Sequence, residues 1–406
     1  MIGSDIKTNN PTSFIVILAS VLSALLTIAV AAKTPPTTQN AAPLQNTLPL
    51  EELRTFSEVF YHVKSNYVDE VDDKTLINAA IVGMVSSLDV HSRYLDAAAF
   101  ASFTADNNGE YAGIGLSFGD HPLGIQIKMV VKNSPADRSK LTQGMVVIKI
   151  NNVNIEEIST EDAYKLLTGK IGSTVKLAVI SATSNSTERQ LKEYLLTREI
   201  IVMPSITSAL LPNRVGYLAI DEFTKKTTAE FVEAMENMTL LHPLSNLIID
   251  LRNNLGGALE SSIEISDLFI NSGVLLKSSG RTSDANEIYR ATPFAPYTNL
   301  KVTILINEYT ASSSEILAAA LRDHNKATLV GDVSYGKGSI QTVYLLKQAS
   351  GLKLTTAKYF SPNGNEIQGT GIKPDIKFNI EGLENNEGEP LLDDLEILQA
   401  FNLIRE

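Results

Sequence analysis

The sequence contains no cysteine among its 406 residues and only five histidines. Without cysteine there is no disulfide, no thiolate metal site and no cysteine nucleophile. The redox compartment stays open, because disulfide-free proteins occur on both sides of a membrane. The histidines lie far from any recognisable catalytic motif, so a structural or surface role is expected even for His91. No cluster of metal-ligating residues and no internal repeat is visible, and the sequence therefore implies no cofactor and no metal.

The chain also lacks the positive charge of a nucleic-acid-binding protein. Its formal net charge is −12 and its isoelectric point is about 5.0, a balance that repels polyanions. Nucleic acid is therefore not an expected partner. With 44% apolar residues the chain can build more than one core, and its length suggests two or three domains.

Charge is absent from one long apolar stretch near the beginning of the sequence. Residues Phe14–Ala32 contain no charged side chain and would span about 28 Å as a helix, just enough to cross a bilayer. The small residues Ala29 and Ala31 also fit a signal-peptidase site. Residues 1–32 are therefore expected to be a signal peptide or a membrane anchor, and residues 33–49, rich in proline and threonine, a tether. Either way, the remainder is expected to be exported, to the periplasm or another extracytoplasmic space.

A hydroxyl-rich turn in the second half of the chain joins a predicted strand to a predicted helix. The β-branched run Val302–Ile306 is followed by Ser312–Ser314 and Glu315, and residues 316–321 are then expected to be helical. At the start of a helix, free backbone N–H groups and the positive end of the helix dipole stabilise nearby negative charge, which an acyl-transfer intermediate develops. Downstream, Lys337 stands between two glycines, which leave little bulk beside its amine. A serine nucleophile and a lysine are thus candidates for joint chemistry.

Two plainer interpretations of these residues stay open at this point. Ser312 with Glu315 three residues later is the pattern of a capping box, in which the serine only terminates a helix. The segment Gly331–Lys337 is close to the phosphate-binding pattern G-x-x-x-x-G-K-[S/T]. Gly338, however, stands where that loop needs a hydroxyl for magnesium, and the residues after it predict a strand where the loop needs a helix. A nucleotide hydrolase is therefore disfavoured.

Between residues 107 and 198, a β-rich region begins with a glycine loop. Gly113 and Gly115 flank Ile114 ahead of Leu116, and alternating strands, a turn and a short helix follow. This order resembles a PDZ domain, whose glycine loop binds the C-terminal carboxylate of a peptide while the adjoining strand edge accepts the peptide as an extra strand. The resemblance implies that these four residues bind peptides. A small β-rich domain without a peptide site is the alternative.

The turn that contains Ser312–Ser314 (the serine turn) and the loop that contains Lys337 (the lysine loop) together resemble those of the carboxy-terminal processing proteases, serine endopeptidases with a Ser-Lys dyad. The matching residues are the small-residue run from Thr310 to Ile316 and the Gly-Lys-Gly-x-x-Gln element that ends at Gln341. Ser312 lies 25 positions before Lys337, the separation that the family pattern implies. By this resemblance Ser312 is the nucleophile, Lys337 is its general base and Gln341 positions the lysine.

One further segment resembles the same family. The turn from Asp250 to Gly257 is similar to the pattern D-L-R-x-N-P-G-G, with Leu255 in place of the usual proline. By the resemblance, the backbone N–H of Ser313 and that of Gly256 or Gly257 form the oxyanion hole, the set of donors that binds the negatively charged oxygen of the intermediate.

Strands and helices alternate after Ile200, which argues for an α/β layered core. The family resemblance implies a multidomain α/β protein with a crotonase/ClpP-like layered protease core, an inserted PDZ domain and a helical N-terminal region. The expected domains after the tether are a helical region at 50–106, the PDZ domain at 107–198, the serine protease core at 199–380, and a linker with a C-terminal helix at 381–406.

As a whole, the sequence predicts an exported serine endopeptidase that captures the C-terminal tails of protein substrates through its PDZ domain and cleaves with the Ser312–Lys337 dyad. Its expected partners are proteins or peptides with a free C-terminus, and the membrane if the N-terminal segment is not cleaved. Whether it forms homo-oligomers stays open. The alternative from another class is a catalytically silent peptide-binding scaffold, and intact Ser312, Lys337 and Gln341 speak against it.

Overall fold

The computed structural model describes residues 48–180, 191–240, 242–381, 383 and 390–405. The predicted signal or anchor segment Phe14–Ala32, nearly all of the tether and most of the linker after Glu381 lie outside these ranges. The chain divides into two units, residues 1–78 and residues 79–406. Within the described ranges, no helix has both the length and the apolar character needed to cross a membrane.

Several helices of the described residues begin with a side-chain cap. The side chains of Asp96, Ser134 and Ser159 each accept a backbone N–H from the first turn of the helix that follows. In chain order the α-helices are α1 (Leu50–Asn66), α2 (Asp73–Ser86), α3 (Ala97–Asn107), α4 (Pro135–Arg138), α5 (Thr160–Leu167), α6 (Thr227–Thr239), α7 (Leu259–Asp267), α8 (Ser313–Asp323) and α9 (Leu395–Arg405).

The strands of the described residues belong to four sheets. In the first part of the chain they are β1 (Arg93–Leu95), β2 (Glu110–Gly113), β3 (Leu116–His121), β4 (Gly124–Val130), β5 (Val146–Ile150), β6 (Val153–Asn154), β7 (Thr174–Ile180), β8 (Leu191–Thr197) and β9 (Glu199–Val202). The later strands are β10 (Ile206–Leu211), β11 (Val215–Ile220), β12 (Asn246–Asp250), β13 (Val274–Gly280), β14 (Ile288–Arg290), β15 (Lys301–Ile306), β16 (Ala327–Gly331), β17 (Ser339–Leu345), β18 (Gly351–Phe360) and β19 (Ile376–Lys377).

The first unit, as far as it is described, contains α1 and the start of α2. The spacing of Leu53, Phe56 and Val63 predicts a helix, and α1 confirms that prediction. None of the residues of α1 is buried, however. Lys64 pairs with Asp73 at 2.5 Å, but an exposed ion pair of this kind stabilises little. The apolar side chains of α1 therefore form no buried core within the described part of this unit.

The β-rich region forms an antiparallel sheet with the order β3-β4-β5-β7-β8, and β6 pairs with β5. Alternate residues of β4, Ile125 and Ile127, are buried in a core that also contains Leu167 of α5. The guanidinium of Arg198, a residue only 7% exposed, donates to the carbonyl of Leu167 at 3.1 Å. This bond ties the end of α5 to the strand that leaves the domain.

The sheet of the second half has the order β10-β11-β12-β15-β16-β19. All neighbouring strands are parallel except β10 and β11. Parallel strands are buried on both faces, which explains the near-continuous apolar runs in the sequence. In β12, Leu247 and Ile249 belong to the core with α6, α7 and α8, whereas Ile248 belongs to the core with α9. The predicted α/β layered core is confirmed.

Two loops meet at one edge of this sheet. Because Asp250 of β12 pairs in register with Leu305 of β15, the carboxyl ends of both strands lie side by side. The N–H of Ala311 donates to the carbonyl of Asn254 at 2.9 Å, and the hydroxyl of Ser314 donates to the same carbonyl at 3.1 Å. These bonds join the glycine turn after β12 to the serine turn after β15.

The loop that carries Lys337 connects this sheet to another one. It leaves β16 at Gly331 and enters β17 at Ser339, and β17 pairs with β18 in the sheet β1-β18-β13-β14. The predicted strand after Gly338 is thus confirmed. A phosphate-binding loop needs a helix at this point, so the nucleotide-hydrolase interpretation lacks the element it requires.

The acidic start of α9 anchors that helix to the glycine turn. Arg252 donates to Asp250, Asp394 and Glu396 at 2.6, 3.0 and 2.5 Å. The hydroxyl of Tyr217 donates to Asp250 at 2.9 Å. Burial alone would raise the pKa of Asp394, but the hydrogen bonds and charge of Arg252 hold that pKa below its usual range. The C-terminal helix is therefore held to the turn by a connected set of charges.

Candidate active site

Ser312 lies at the start of α8, immediately after the turn that follows β15. Its φ of 57° and ψ of −117° are unusual for a residue with a side chain, and such a backbone stores about 1–3 kcal/mol of strain. Strain of this kind persists only where the surroundings hold the backbone in place. Ser312 lines a cleft of about 910 Å³ that Lys337 and Gln341 also line. The structure thus brings the three predicted catalytic residues to one cleft.

The three adjacent serines differ in what their hydroxyls do. The Ser313 hydroxyl donates to the carbonyl of Gly257 at 3.0 Å, and the Ser314 hydroxyl donates to the carbonyl of Asn254 at 3.1 Å. Among the described residues, no acceptor takes the hydroxyl proton of Ser312. Ser312 is therefore the serine of this run whose hydroxyl is available for a reaction.

The capping box that Ser312 and Glu315 predict is present. The carboxylate of Glu315 accepts the backbone N–H of Ser312 at 2.8 Å. A cap uses the serine oxygen as an acceptor and leaves its proton free. The capping interpretation and the nucleophile interpretation are therefore compatible.

The glycine turn approaches Ser312 closely. A Cβ on Gly256, whose φ is 100°, would lie 2.6 Å from the Cβ of Ser312, so this position requires glycine. The N–H of Gly256 donates to the side-chain oxygen of Asn254 at 2.8 Å. In the described part of the chain, the N–H groups of Gly257 and Ser313 have no such partner. Unpaired N–H groups beside a serine are what an oxyanion hole requires.

The loop of Lys337 is bound to the same carboxylate that caps α8. Glu315 is fully buried and accepts the N–H of Gly336 at 2.8 Å, the N–H of Lys337 at 2.9 Å and the hydroxyl of Ser334 at 2.5 Å. Its four hydrogen bonds, including the one from Ser312, use the acceptor capacity of a carboxylate fully. One buried side chain therefore connects the serine turn to the lysine loop.

The side chain of Lys337 is half-buried in the cleft. Burial lowers the pKa of Lys337 and the positive charge of Lys353 lowers it further, while the carboxylate of Glu315 acts in the opposite direction. A lowered pKa increases the fraction of neutral amine, the form that accepts a proton. Among the described hydrogen bonds none joins Lys337 Nζ to Ser312 Oγ, and catalytic hydrogen bonds often tighten only when substrate is bound.

Gln341 lines the cleft from β17. Its side-chain amide donates to the hydroxyls of Ser339 and Thr355 at 3.0 and 3.3 Å. The hydrogen bonds of the described residues include none between Gln341 and Lys337. The role of Gln341 in positioning the lysine therefore stays a prediction.

His91 is electrostatically linked to this site. Its backbone N–H donates to the carboxylate of Asp89 at 2.7 Å, and Asp89 also accepts the hydroxyl of Thr355 at 3.3 Å. Burial lowers the pKa of His91, and the positive charge of Lys337 lowers it further. The expected structural role of His91 stays a prediction, and His91 becomes the histidine to test against Lys337.

The expected peptide-binding loop, formed by Gly113, Ile114, Gly115 and Leu116, joins β2 to β3. The side chains of Ile114 and Leu116 belong to the core of the β-rich domain. All four loop residues are buried, and the backbone N–H groups of Gly115 and Leu116 are hydrogen-bonded to the hydroxyl of Tyr111. Peptide binding by this loop therefore stays a prediction.

Aromatic rings lie beside this loop. The ring of Tyr111 packs against Gly113, where a Cβ would lie 2.3 Å from a ring carbon. The ring centroid of Tyr111 is 6.4 Å from that of Tyr164 in α5, and the ring centroid of Phe118 in β3 is 6.2 Å from that of Tyr164. Burial raises the pKa of Tyr111 to about 12. Aromatic side chains from the start of the loop, from β3 and from α5 thus pack together beside the loop.

Sequence profiles of three known families match separate parts of the chain. The profile of peptidase family S41 matches residues 214–378, that of the PDZ domain matches 102–180, and that of the activating protease CtpB N-terminal domain matches 23–99. A carboxy-terminal-processing protease of Bartonella bacilliformis is 33% identical over 337 residues, which cover 82% of this chain and 76% of that protein. This chain belongs to the carboxy-terminal processing protease family.

Other family members are similar over most of their length. The carboxy-terminal processing protease CtpA of Bacillus subtilis is 29% identical over 368 residues, 90% of this chain and 77% of that protein. A solved structure from Bacteroides fragilis, assigned to the S41 proteases, has a TM-score of 0.54 at 17% identity and covers 85% of this chain and 97% of its own, which shows the fold alone. The predicted family, its α/β fold with a PDZ domain and its serine peptidase class are confirmed.

Sequence reasoning did not reveal how three residues hold this site together, although it identified Glu315 as a helix cap. Asn254 binds the N–H of Gly256, Glu315 binds the backbones of Ser312 and Lys337, and Tyr359 binds their carbonyls. Glu315 stands directly before the apolar run of α8, a position that indicates burial. A buried carboxylate needs several hydrogen-bond donors, so its position was a signal that other segments bind it. Asn254 occupies the asparagine position of the pattern D-L-R-x-N-P-G-G, so the sequence carried a signal for it, whereas Tyr359 carried no local signal.

Proposed function

We propose that this protease cleaves peptide bonds with Ser312 as the nucleophile and Lys337 as the general base. The observation that carries the proposal is that one cleft contains a serine on a strained helix start and a half-buried lysine. The proposal is tested by incubating a panel of unstructured proteins with the purified protein and with its Ser312→Ala variant. Only the wild type should produce fragments.

The reaction begins when neutral Lys337 Nζ takes the proton of Ser312 Oγ as Oγ bonds to the scissile carbonyl carbon. The carbonyl oxygen becomes an oxyanion, which the N–H groups of Ser313 and Gly257 bind. Protonated Lys337 then gives its proton to the leaving amine, the C–N bond breaks and an acyl-Ser312 ester remains. Water, deprotonated by Lys337, hydrolyses that ester and regenerates the serine.

Between the two candidate glycines, the hydrogen bonds favour Gly257 as the donor. The N–H of Gly256 already donates to buried Asn254, and freeing it would leave an acceptor unpaired. For Gln341 we keep the role of positioning Lys337, from the family resemblance and from its place in the same cleft.

Substrates are captured, in this proposal, by their C-terminal tails. The backbone N–H groups of Gly115 and Leu116, which the Tyr111 hydroxyl occupies in this structure, would bind the terminal carboxylate in its place. The neighbouring rings of Phe118 and Tyr164 suit the apolar side chains of the tail. The edge of β3 would take the tail as an additional strand.

Substrates with a free, apolar C-terminus should therefore be cleaved faster than the same chains with an amidated C-terminus. Amidation removes the negative charge that makes carboxylate binding charge-assisted. The measurement compares kcat/KM for matched pairs of free and amidated substrates. Equal rates for both members of each pair would show that this loop does not select substrates.

The domain boundaries and cellular location are also part of the proposal. The domains are the helical region at 50–106, the PDZ domain at 107–198, the protease core at 199–380 and the C-terminal linker and helix at 381–406. The uncharged stretch Phe14–Ala32 supports export, with the catalytic part outside the cytoplasm.

A reporter that is active only outside the cytoplasm should work when fused after residue 50. The uncharged stretch should either anchor the fusion or be removed after Ala31. Fractionation distinguishes the two, because an anchored fusion sediments with membranes and a cleaved one does not. If instead only a reporter that works in the cytoplasm is active when fused at the same place, export is contradicted.

A further inference from the structure

Tyr359, on β18, makes a second connection between the serine turn and the lysine loop. The residue is only 1% exposed. Its hydroxyl is within hydrogen-bond distance of the carbonyl of Ser312 at 3.1 Å and of the carbonyl of Lys337, which is closer still. A phenol has one proton to donate, so the two carbonyls share it.

Glu315 and Tyr359 hold complementary groups of the same two residues. Glu315 accepts the N–H of Ser312 at 2.8 Å and that of Lys337 at 2.9 Å, and Tyr359 faces the carbonyls of both. Ser312 and Lys337 lie 25 positions apart in the sequence and in different loops, one before α8 and one between β16 and β17. Both their backbones are nevertheless bound on the N–H side by one buried side chain and on the carbonyl side by another.

We propose that Glu315 and Tyr359 act as a buried clamp, a pair of positioning residues that fixes the place of Ser312 relative to Lys337. The inference rests on the proposed dyad and identifies what aligns it. Neither side chain needs to touch substrate for this role. The clamp also helps Ser312 keep its strained φ of 57°, because Glu315 holds its N–H while Tyr359 and the N–H of Ile316, at 3.0 Å, both hold its carbonyl.

An electrostatic role for Glu315 would act in the wrong direction. Its negative charge stabilises the ammonium form of Lys337, whereas a general base must be neutral. Among the other charges, Lys353 lowers the pKa of Lys337 and Asp89 raises that of His91. Glu315 therefore helps the reaction by aligning Ser312 with Lys337, although its negative charge disfavours the neutral lysine that the reaction needs.

Tyr359→Phe is the decisive variant, because it removes one oxygen atom and leaves every charge in place. We expect kcat to fall about 10- to 100-fold, the size expected when a catalytic group is slightly misplaced. KM should stay near the wild-type value, and the pH at which activity rises should not move. Tyr344→Phe is the matched control, since Tyr344 is an exposed tyrosine on neighbouring β17, and it should behave as the wild type.

Glu315→Gln should give a different pattern. It should lower kcat, because an amide cannot accept all four hydrogen bonds, and it should shift the rise of activity to lower pH, because the charge that stabilised protonated Lys337 is gone. Circular dichroism checks that each variant is folded. If Glu315→Gln does not fold, Tyr359→Phe alone decides the question.

Three results would overturn the clamp. One is wild-type kcat in Tyr359→Phe. Another is recovery of its full activity at higher pH, which would mean that the hydroxyl tuned a pKa. The third is unfolding of Tyr359→Phe, which would make the hydroxyl a folding contact. The proposed dyad is tested separately: it is refuted if Ser312→Ala still cleaves. If Ser312→Ala is inactive but Tyr359→Phe has wild-type kcat, only the clamp is refuted.

Discussion

Replacing Ser312 with alanine is expected to abolish cleavage while the protein stays folded. Without the hydroxyl no acyl-enzyme can form, and removal of a catalytic serine typically costs about a million-fold in kcat. The structural cost is small by comparison, because losing a side-chain cap at a helix start costs about 0.5–2 kcal/mol. The measurement is fragment formation from an unstructured substrate, with thermal unfolding followed in parallel.

Ser314→Ala is the matched control for this substitution. Its hydroxyl donates to the carbonyl of Asn254, so the variant loses one buried hydrogen bond, worth about 1 kcal/mol, but no group that faces the reaction. It should cleave at close to the wild-type rate. If Ser312→Ala and Ser314→Ala lose activity equally, the run of serines has a structural role and the nucleophile lies elsewhere.

Activity is expected to rise with pH as Lys337 loses its proton. Burial and the charge of Lys353 lower the pKa of Lys337, so the neutral amine becomes abundant at a lower pH than in an ordinary lysine with a pKa of 10.5. The base works only when neutral, which means that kcat/KM is low below this pKa and reaches a plateau above it. A variant without the charge of Lys353, such as Lys353→Gln, should shift the rise to higher pH.

Lys337→Arg should be inactive at every pH even though it keeps the positive charge. Guanidinium does not release its proton in proteins, and loss of a general base costs about 100- to 10,000-fold. Substituting any histidine should leave the rise in place; these residues are His62, His91, His121, His242 and His324. His91 is the most informative of them, because its pKa responds to Lys337. A histidine variant without activity beside an active Lys337→Arg would identify a Ser-His enzyme instead.

Much of the fold follows from local patterns in the sequence. The continuous apolar run of β11 predicts a strand buried on both faces, and the alternation of apolar and polar residues in β4 predicts a strand buried on one face. The chemistry of the serine turn was equally local, since a strand, a hydroxyl and a helix follow one another within residues 302–321. Each of these features depends on neighbours in the chain.

What the sequence did not reveal depends on contacts between distant segments. Glu315 has the local pattern of a cap, and its bonds to the lysine loop exist only because α8 and that loop pack together. Likewise, the choice between Gly256 and Gly257 depends on Asn254, whose amide orientation no pattern fixes. Arg252 reaches Asp394 across 142 positions to hold α9. Such pairings follow from tertiary packing, which no local periodicity encodes.

The most direct test of the Ser312–Lys337 dyad is to locate the site of reaction with a fluorophosphonate, a reagent that modifies activated serines. The protein is treated above the pH at which activity rises, and the adduct is mapped by peptide mass spectrometry. We expect one adduct, on Ser312, in the wild type and none in folded Lys337→Arg. An adduct on another serine, or equal modification of Ser312 in Lys337→Arg, would contradict the dyad.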